Sequence, residues 1–262
     1  MINKINVSTF KKIIQSKYSS KILYYCPICE SIVNKFLPLP KYYIENWENF
    51  GYRYYLDAEM LAIESYSCPY CGSSDRERII AYFIEQSLGT TIFKDSNIIH
   101  FAPEKSLSLK LRKLFLNYKT ADLMMNNVDY KVDITSLPFD DSLSDFFICS
   151  HVLEHVPNDI GAIKELYRIT KPGSFGILLA PIHRSIEKNI EDLNITSEAE
   201  RWRLFGQNDH VRLYSHSGFI SSIKKAGFYF KELDINYFGS KVFNKLGLSE
   251  TSILYVVEKP SL

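Results

Sequence analysis

The sequence of 262 residues has no apolar run close to the ~20 residues of a membrane-spanning helix, and its first residues lack the apolar core of a secretion signal. Glycine (11 residues) and proline (10 residues) are too rare for a fibrous or disordered chain. An excess of charge is missing as well, because 31 basic residues stand against 30 acidic ones, and this balance disfavours a large nucleic-acid surface. With 46% hydrophobic residues the chain can bury a substantial core, so we expect a globular, cytoplasmic protein.

Cysteine is also scarce, and four of the five residues fall in two CPxC pairs, Cys26 with Cys29 and Cys68 with Cys71. In a chain without a secretion signal, paired CxxC turns indicate a metal site before they indicate disulfides. Two such turns complete a tetrahedral four-cysteine site for Zn²⁺, and because four protein ligands leave no open position, we expect a structural zinc. Two unrelated reduced pairs, or one redox pair, are the alternatives. The fifth cysteine, Cys149, lies on an apolar strand and is expected in the core.

The residues between the two pairs are rich in aromatic side chains, for which we expect short strands packed around the metal. They are Tyr42, Tyr43, Trp47, Phe50, Tyr52, Tyr54 and Tyr55. With an N-terminal helix, this zinc-ribbon-like segment makes a first unit over residues 1–74, and residues 75–262 make the second. The second unit opens with a helix that Ser74 or Asp75 can cap. Arg76 and Arg78 in its first turn are either solvated or paired with a carboxylate or phosphate, because the helix dipole disfavours cations there.

From about residue 97 onward, strand and helix patterns alternate. The predicted strands are Asn97–Ala102, Tyr118–Asp122, Tyr130–Ile134, Asp145–Ser150, Phe175–Ala180, Tyr229–Ile235 and Ser252–Glu258. The predicted helices are Lys105–Asn117, Asp159–Thr170 and Ser217–Ala226. This alternation predicts an α/β fold with a parallel sheet wrapped by helices and with ligands at the carboxyl ends of the strands. The last two strands have no predicted helix between them, so we expect an antiparallel hairpin at one edge.

Three blocks of sequence carry a resemblance to a known family. They are DITSLPF from Asp133, DFFICSHVLEHV from Asp145 and ELYRITKPG from Glu165. In this order they resemble the type-11 group of class I S-adenosylmethionine-dependent methyltransferases, over roughly residues 75–258. The resemblance implies a Rossmann-like sheet and S-adenosyl-L-methionine as the cofactor. The CPxCGS segment and LFGQNDHVRLY from Leu204 are similar to a bacterial subfamily found in surface-polysaccharide gene clusters, which implies an acceptor related to carbohydrate.

Acidic residues at two strand ends fit such a cofactor. Asp122 can accept both ribose hydroxyls, and Asp133 the adenine amine with Ile134 against the ring, although each aspartate alone could be a surface or capping residue. The first loop departs from the family, since HFAPE replaces its glycine-rich turn and Pro103 has no backbone donor. Glu104 could contact the amino group of the methionine moiety instead. The predicted cofactor-binding residues are Ala102, Pro103, Glu104, Asp122, Leu123, Asp133, Ile134, Ser150 and His151.

Histidines dominate the candidate catalytic residues, as expected if a base takes the proton of an acceptor hydroxyl. The predicted catalytic residues are His151, Glu154, His155 and His210, and the predicted acceptor-binding residues are His183, Gln207, Asp209, Arg212 and Tyr214. His151, Glu154 and His155 also spell HxxEH, a metalloprotease motif, but here it follows a buried strand instead of lying in a long helix. A second divalent metal at Glu154, His155 and His210 is possible, because imidazole with carboxylate suits Mn²⁺, Fe²⁺ or Zn²⁺; otherwise Glu154 and His155 only cap and pack a helix.

These features predict an enzyme that methylates an oxygen of a small polar acceptor, such as a sugar, a sugar nucleotide or a phosphate-derived group in surface-polysaccharide biosynthesis. An RNA methyltransferase that grips RNA through the zinc segment is an alternative, although only Lys35, Lys41 and Arg53 supply positive charge there. A non-catalytic, cofactor-binding scaffold is a further alternative, favoured by the glycine-poor first loop.

Overall fold

The computed structural model of the protein describes residues 23–87 and 94–261, so the predicted N-terminal helix lies outside the described residues. The strands are β1 (Tyr24–Cys26), β2 (Ser31–Val33), β3 (Asn97–Phe101), β4 (Asn117–Asp122), β5 (Tyr130–Lys131), β6 (Ser144–Ser150), β7 (Thr170–Leu179), β8 (Ile190–Glu191), β9 (Arg212–Leu213), β10 (Tyr229–Leu233) and β11 (Leu254–Glu258). The helices are α1 (Lys41–Phe50), α2 (Asp75–Ser87), α3 (Lys105–Leu114), α4 (Asp159–Ile169), α5 (Glu198–Phe205), α6 (His216–Ala226), α7 (Ile235–Phe238) and α8 (Ser240–Leu246). One-turn 3₁₀ helices cover Tyr55–Asp57, Ile63–Ser65 and Leu153–His155. None of the described helices is long and apolar enough to cross a membrane.

The central sheet has seven strands in the order β10-β11-β7-β6-β3-β4-β5. The five strands from β7 to β5 run parallel, and β11 is antiparallel to both of its neighbours. In β6, the residues from Phe146 to Ser150 are all buried, as expected for a parallel strand that helices cover on both faces. The sheet is therefore the predicted Rossmann-like α/β sheet, with its antiparallel edge.

The direction in which the chain crosses the sheet reverses beside β3. From β3 the chain proceeds outward through β4 and β5, and it then returns to β6 and β7 on the other side of β3. The loops after β3 and β6 consequently leave the sheet in opposite directions, and a crevice opens at the carboxyl ends of these strands. This crevice is where a ligand of such a sheet is expected.

The edge of the sheet differs from the prediction. Helices α7 and α8 occupy the connection between β10 and β11, so the two strands pair antiparallel without forming a hairpin. Asp234 explains α7, because its carboxylate accepts hydrogen bonds from the backbone N–H groups of Asn236 and Tyr237. This local N-cap was the sequence signal for a helix that the apolar periodicity of so short a segment could not give.

Two further elements, a helix and a strand, are shorter than predicted. Helix α3 ends at Leu114 instead of Asn117, because the backbone of Phe115 is already extended (φ −123°) on the way into β4. Strand β5 stops at Lys131, so Ile134 lies in the loop that follows it. The shorter α3 lengthens the connection into the start of β4, and the shorter β5 lengthens a loop at the carboxyl edge of the sheet.

The aromatic stretch of the cysteine segment (residues 23–74) lies mostly in α1 and a 3₁₀ turn, with no strand in it, and the expectation of short strands around a metal is wrong for it. Trp47 of α1 is buried against Trp202 and Phe205 of α5, in an apolar cluster separate from the cysteines. Its indole Nε1–H donates to the carbonyl oxygen of Gly206 (2.9 Å). The aromatic side chains therefore dock the cysteine segment on the α/β body.

A buried arginine fastens the two parts together. Arg78 is fully buried and donates five hydrogen bonds to backbone carbonyl oxygens, those of Ser65, Tyr66, Ser73, Leu246 and Gly247. Five bonds use the entire donor capacity of a guanidinium. The partners of Arg78 are thus carbonyl groups, and neither the predicted carboxylate or phosphate partner nor the solvated alternative applies to it.

Candidate active site

A cleft of about 750 Å³ opens at the carboxyl ends of β3, β4 and β6, the size of a small-molecule or cofactor site. We call it the strand-end cleft. Of the predicted cofactor-binding residues, those that line it are Ala102, Asp122, Leu123, Asp133, Ile134 and His151. Its walls also include apolar side chains that the sequence did not single out, Met124, Met125, Val132 and Val152. Pro103 and Ser150 are buried behind the cleft and do not line it.

Asp122 and Asp133 each have one carboxylate oxygen left for a ligand. Oδ1 of Asp122 accepts the backbone N–H groups of Met124 (2.7 Å) and Met125 (2.6 Å). Oδ1 of Asp133 accepts the backbone N–H and the hydroxyl of Thr135. Within residues 23–87 and 94–261, Oδ2 of neither aspartate has a hydrogen-bond partner. Each turn thus fixes its aspartate and leaves an acceptor free, which fits the hydroxyl and amine donors of an adenosine.

The loop after β3 turns sharply without glycine. Ala102 has a left-handed backbone (φ +48°), a conformation that costs a residue with a side chain about 1–2 kcal/mol. Glu104 does not line the cleft; its carboxylate accepts from Nε2 of His100 (3.0 Å) and lies near Nε of Arg76 (3.4 Å). Burial would raise the pKa of Glu104, but the hydrogen bond and charge of His100, then the charge of Arg76, outweigh it and lower the pKa to about 2. The loop therefore carries a fixed negative charge beside the cleft.

A second cavity of about 330 Å³ adjoins the first, and we call it the aromatic chamber. His151, His155 and Asp209 line both cavities. One wall of the chamber comes from the cysteine segment, with the rings of Tyr43, Trp47, Tyr52, Tyr55 and Tyr66. The opposite wall comes from the α/β body and includes His183, Phe205, Gly206, Gln207 and His210. The sequence analysis noticed the aromatic stretch but not its place in a ligand cavity.

Gly206 sets the shape of the chamber where the two walls meet. It ends α5 in a left-handed conformation (φ +80°), and a Cβ atom there would lie 2.7 Å from Cζ of Tyr52. No residue with a side chain fits that gap without displacing Tyr52.

His183 lies in the chamber wall as a neutral, fully hydrogen-bonded ring. Its Nδ1 is 3.0 Å from the carbonyl oxygen of Tyr54, which can only accept, so Nδ1 carries the proton. Nε2 then accepts from the hydroxyl of Tyr52 (3.0 Å). Burial lowers the pKa of His183 to about 4, so the ring stays neutral at neutral pH.

Two of the predicted acceptor-binding residues are not in either cavity, and this part of the prediction is corrected. Arg212 is buried, and its Nη1 donates to the carbonyl oxygens of Leu153 and Val156. The hydroxyl of Tyr214 donates to Oδ2 of Asp159 (2.6 Å). Both side chains hold the turn after β6 from beneath. Of the predicted set, the chamber brings together His183, Gln207 and Asp209 with the catalytic candidates.

Those catalytic candidates surround one carboxylate in the wall between the two cavities. Glu154 is 1% exposed, and in the described part of the chain neither of its side-chain oxygens has a hydrogen-bond partner. Nδ1 of His151 lies 3.3 Å from Oε1, and the Nε2 atoms of His155 and His210 each lie 4.0 Å from it. Burial lowers the pKa of His151, and it lowers that of His210 to about 4, so both rings are neutral near pH 7. Ligand atoms of Glu154, His155 and His210 lie within 4.8 Å of one another, a spacing that could hold a metal ion.

The four predicted zinc ligands also converge. The Sγ atoms of Cys26 and Cys71 are 3.6 Å apart, and those of Cys29 and Cys68 are 3.7 Å apart. A tetrahedron with Zn–S distances of ~2.3 Å has S–S distances of about 3.8 Å. The donor set and its spacing therefore fit a zinc ion.

Part of the chain is similar to a known family of proteins. Residues 106–178 match the protein-family model for a methyltransferase domain, and no curated protein matches the chain. A solved S-adenosylmethionine-dependent methyltransferase from Archaeoglobus fulgidus is similar at 16% identity, over 61% of this chain and 72% of its own, with a TM-score of 0.40. The 1,6-didemethyltoxoflavin-N1-methyltransferase of Burkholderia thailandensis, solved with S-adenosylhomocysteine, is similar at 10% identity, over 70% and 78%, with a TM-score of 0.42. The family match places a methyltransferase-like stretch, residues 106–178, within the Rossmann-like sheet.

Proposed function

We propose that the protein transfers a methyl group from S-adenosylmethionine to an oxygen of a small polar acceptor, a sugar, sugar nucleotide or phosphate-derived group used in surface-polysaccharide biosynthesis. The observation that carries the proposal is the pair of adjoining cavities that share His151, His155 and Asp209. Methyl transfer requires a donor and an acceptor side by side, with the reacting atoms in line. A cofactor-sized cleft next to a smaller, mixed polar and aromatic chamber supplies that arrangement.

In the strand-end cleft, the free Oδ2 of Asp122 would accept from the ribose hydroxyls and that of Asp133 from the adenine amine. Ile134, which is 6% exposed, would pack against the purine ring. Bound S-adenosylmethionine supplies a methyl group on a positively charged sulfur. The negative charge of Glu104, on the loop after β3, would favour a cationic cofactor over a neutral one.

His151 is our candidate for the residue that accepts the proton of the acceptor hydroxyl. It lines both cavities, it is neutral near pH 7, and Nδ1 lies 3.3 Å from the Glu154 carboxylate. A neighbouring carboxylate stabilises an imidazolium as it forms, which is the role an acidic partner has beside a histidine base. His155, whose Nδ1 is 3.4 Å from Oδ2 of Asp209, stands at the same junction.

A sugar-like acceptor suits the composition of the chamber. Aromatic rings offer flat apolar faces to a sugar ring, and Gln207, Asp209 and His183 offer polar groups to hydroxyls. The same rings weaken the RNA alternative, because Trp47 and Tyr52 are buried in the chamber wall and are not displayed on a surface for stacking.

We further propose that zinc occupies the four-cysteine site and has a structural role. Cys26 and Cys68 are buried in the main core, and the two CPxC turns join the β1–β2 hairpin to the start of α2. Zinc would fix the cysteine segment, and with it the aromatic wall of the chamber.

We also propose a divalent ion at Glu154, His155 and His210. Nδ1 of His210 is 3.1 Å from the carbonyl oxygen of Phe205, so Nδ1 carries the proton and Nε2 presents a lone pair toward Glu154. A buried carboxylate and a buried lone pair that face each other without a proton are costly, and a cation between them removes the cost. Nitrogen and oxygen donors of this kind suit Mn²⁺, Fe²⁺ or Zn²⁺, and such an ion would polarise an acceptor hydroxyl.

The deciding experiment is calorimetric titration of the purified protein with S-adenosylhomocysteine, with metal content measured on the same sample. One-to-one binding, followed by transfer of radiolabelled methyl groups to members of a panel of sugars and sugar nucleotides, would establish the function. If S-adenosylhomocysteine binds but no methyl group is transferred to any acceptor, the cofactor-binding scaffold is favoured; if zinc is present and S-adenosylhomocysteine does not bind, the methyltransferase proposal fails.

A further inference from the structure

Arg76 has hydrogen-bond donors for which the described part of the chain supplies no acceptor. A guanidinium carries five N–H donors. Arg78 uses all five on carbonyl oxygens, and Arg212 makes four hydrogen bonds, to three carbonyl oxygens and Glu191. Within the described residues the side chain of Arg76 makes one, from Nε to Oε1 of Glu104, at 3.4 Å. That distance is long for a charge-assisted bond, and both terminal nitrogens remain available.

Arg76 is not a surface residue whose donors are simply hydrated by solvent. Its side chain is 21% exposed and lines the aromatic chamber, where it is the single Lys or Arg among the described lining residues. Asp75 makes no hydrogen bond to the guanidinium, because its Oδ2 accepts the backbone N–H of Ala62 and its Oδ1 that of Arg76 itself. Glu104 also binds His100, so its charge is shared. Burial disfavours the charge of Arg76, but nearby carboxylates stabilise it and raise its pKa. Within the described residues its two terminal nitrogens nevertheless have no hydrogen-bond partner.

We propose that Arg76 binds an oxyanion, a carboxylate or phosphate, on the ligand that occupies the aromatic chamber. A fork of two terminal nitrogens matches the geometry of either group. The proposal rests on the proposed function and narrows it, because the acceptor is then acidic, such as a uronic acid or a sugar phosphate. A neutral sugar would leave the donors of Arg76 without partners.

The same carboxylate chemistry could come from the methionine moiety of the cofactor. Arg76 lines the aromatic chamber and does not line the strand-end cleft, which favours the acceptor as the source. A test must therefore measure the two ligands separately.

The test compares wild-type protein with Arg76→Gln, which removes the charge, and Arg76→Lys, which keeps the charge but loses the fork. Arg53→Gln is the matched control, since Arg53 is exposed on the cysteine segment and lines neither cavity. All are purified with zinc and compared by thermal unfolding. In one arm, S-adenosylhomocysteine and methylthioadenosine, which lacks the amino-acid moiety, are titrated. In the other, glucuronic acid, glucose 1-phosphate and glucose are titrated into protein saturated with S-adenosylhomocysteine.

We expect the acidic sugars to bind wild type more tightly than glucose does. Arg76→Gln should lower the affinity for the acidic sugars about 10- to 100-fold, which corresponds to the loss of a charged hydrogen bond. Arg76→Lys should lose part of this affinity and Arg53→Gln none. If Arg76→Gln weakens S-adenosylhomocysteine but not methylthioadenosine, the oxyanion is the carboxylate of the cofactor. If no acidic probe is preferred by wild type and Arg76→Gln changes neither arm, Arg76 binds no ligand oxyanion. Failure of the proposed function itself would be seen separately, as absence of S-adenosylhomocysteine binding to wild type.

Discussion

Nε2 of His210 and Oε1 of Glu154 face each other across 4.0 Å, and both are hydrogen-bond acceptors. In water such a pair would be separated by solvent, but Glu154 and His210 are 1% and 3% exposed. The arrangement stores unfavourable electrostatic energy that a cation, or a donor placed between the two atoms, would release.

Glu154→Gln should therefore have opposite effects on metal binding and on stability. The amide can donate to Nε2 of His210, so we expect the metal-free variant to be about 1–3 kcal/mol more stable than wild type. The affinity for Mn²⁺, measured by electron paramagnetic resonance, should fall at least about tenfold, since Mn²⁺ prefers oxygen and nitrogen ligands and reports on this site without the cysteines. The exposed Glu45→Gln should change neither quantity. Equal Mn²⁺ affinity of Glu154→Gln and wild type would contradict the proposal of a metal ion at this site.

Asp122→Asn should separate the structural role of that carboxylate, which holds the loop through Oδ1, from its proposed role in binding the ribose through Oδ2. Asn can still accept the N–H groups of Met124 and Met125 through its side-chain oxygen, so the loop should keep its shape and the melting temperature should be unchanged. Loss of the second oxygen should lower the affinity for S-adenosylhomocysteine, measured by calorimetry, about 10- to 100-fold, as expected for hydrogen bonds to a charged group. Asp140→Asn, outside both cavities, is the control. Unaltered affinity in Asp122→Asn would mean that the ribose is bound elsewhere.

His183 should make the protein less stable on acidification. Burial holds its pKa near 4, below the ordinary 6.5, so between these values the unfolded chain binds a proton that the folded chain does not. The free energy of unfolding should then decrease as the pH falls from about 6.5 to about 4, by up to ~3 kcal/mol. His183→Gln preserves both hydrogen bonds without titrating, so urea denaturation should show a smaller loss for this variant. Parallel pH profiles for the two proteins would show that His183 does not remain neutral in the fold.

Removal of zinc should affect the two cavities differently. The strand-end cleft is built from β3, β4 and β6, whereas one wall of the aromatic chamber belongs to the cysteine segment. Chelation, or Cys68→Ser, should lower the melting temperature and abolish methyl transfer, yet change the affinity for S-adenosylhomocysteine only a few-fold. Cys149→Ser, away from the metal, serves as the control for loss of a buried thiol. Simultaneous loss of cofactor affinity in the zinc-free protein would contradict a separate role for the two cavities.

The parts of the site that could be predicted from the sequence are those that follow directly from strand ends. Asp122 and Asp133 stand after parallel strands, so the topology alone brings them to one crevice. His151 and Glu154 follow β6 in the same way. A buried strand has a clear apolar sequence pattern, and the residue that follows it must lie at the carboxyl edge of the sheet.

Other residues could not be placed, because their roles depend on which way a side chain points. Arg76 and Arg78 are two positions apart on a helix, about 200° around its axis, so one faces the chamber and the other the core; the sequence does not say which. Arg212 is two residues from His210 yet turns beneath the 3₁₀ helix. The aromatic stretch predicts burial, but composition cannot identify the cavity that the rings enclose.

The gap between Gly206 and Tyr52 limits how such a site can change its acceptor. A substitution at position 206 would push Tyr52 away and change the shape of the aromatic chamber. Substitutions at Tyr43, Tyr55 or Tyr66 alter the chamber from the zinc-bearing side and leave the strand ends untouched. If the chamber binds the acceptor as we propose, mutations in the cysteine segment would change the acceptor while the strand-end half of the site stays constant.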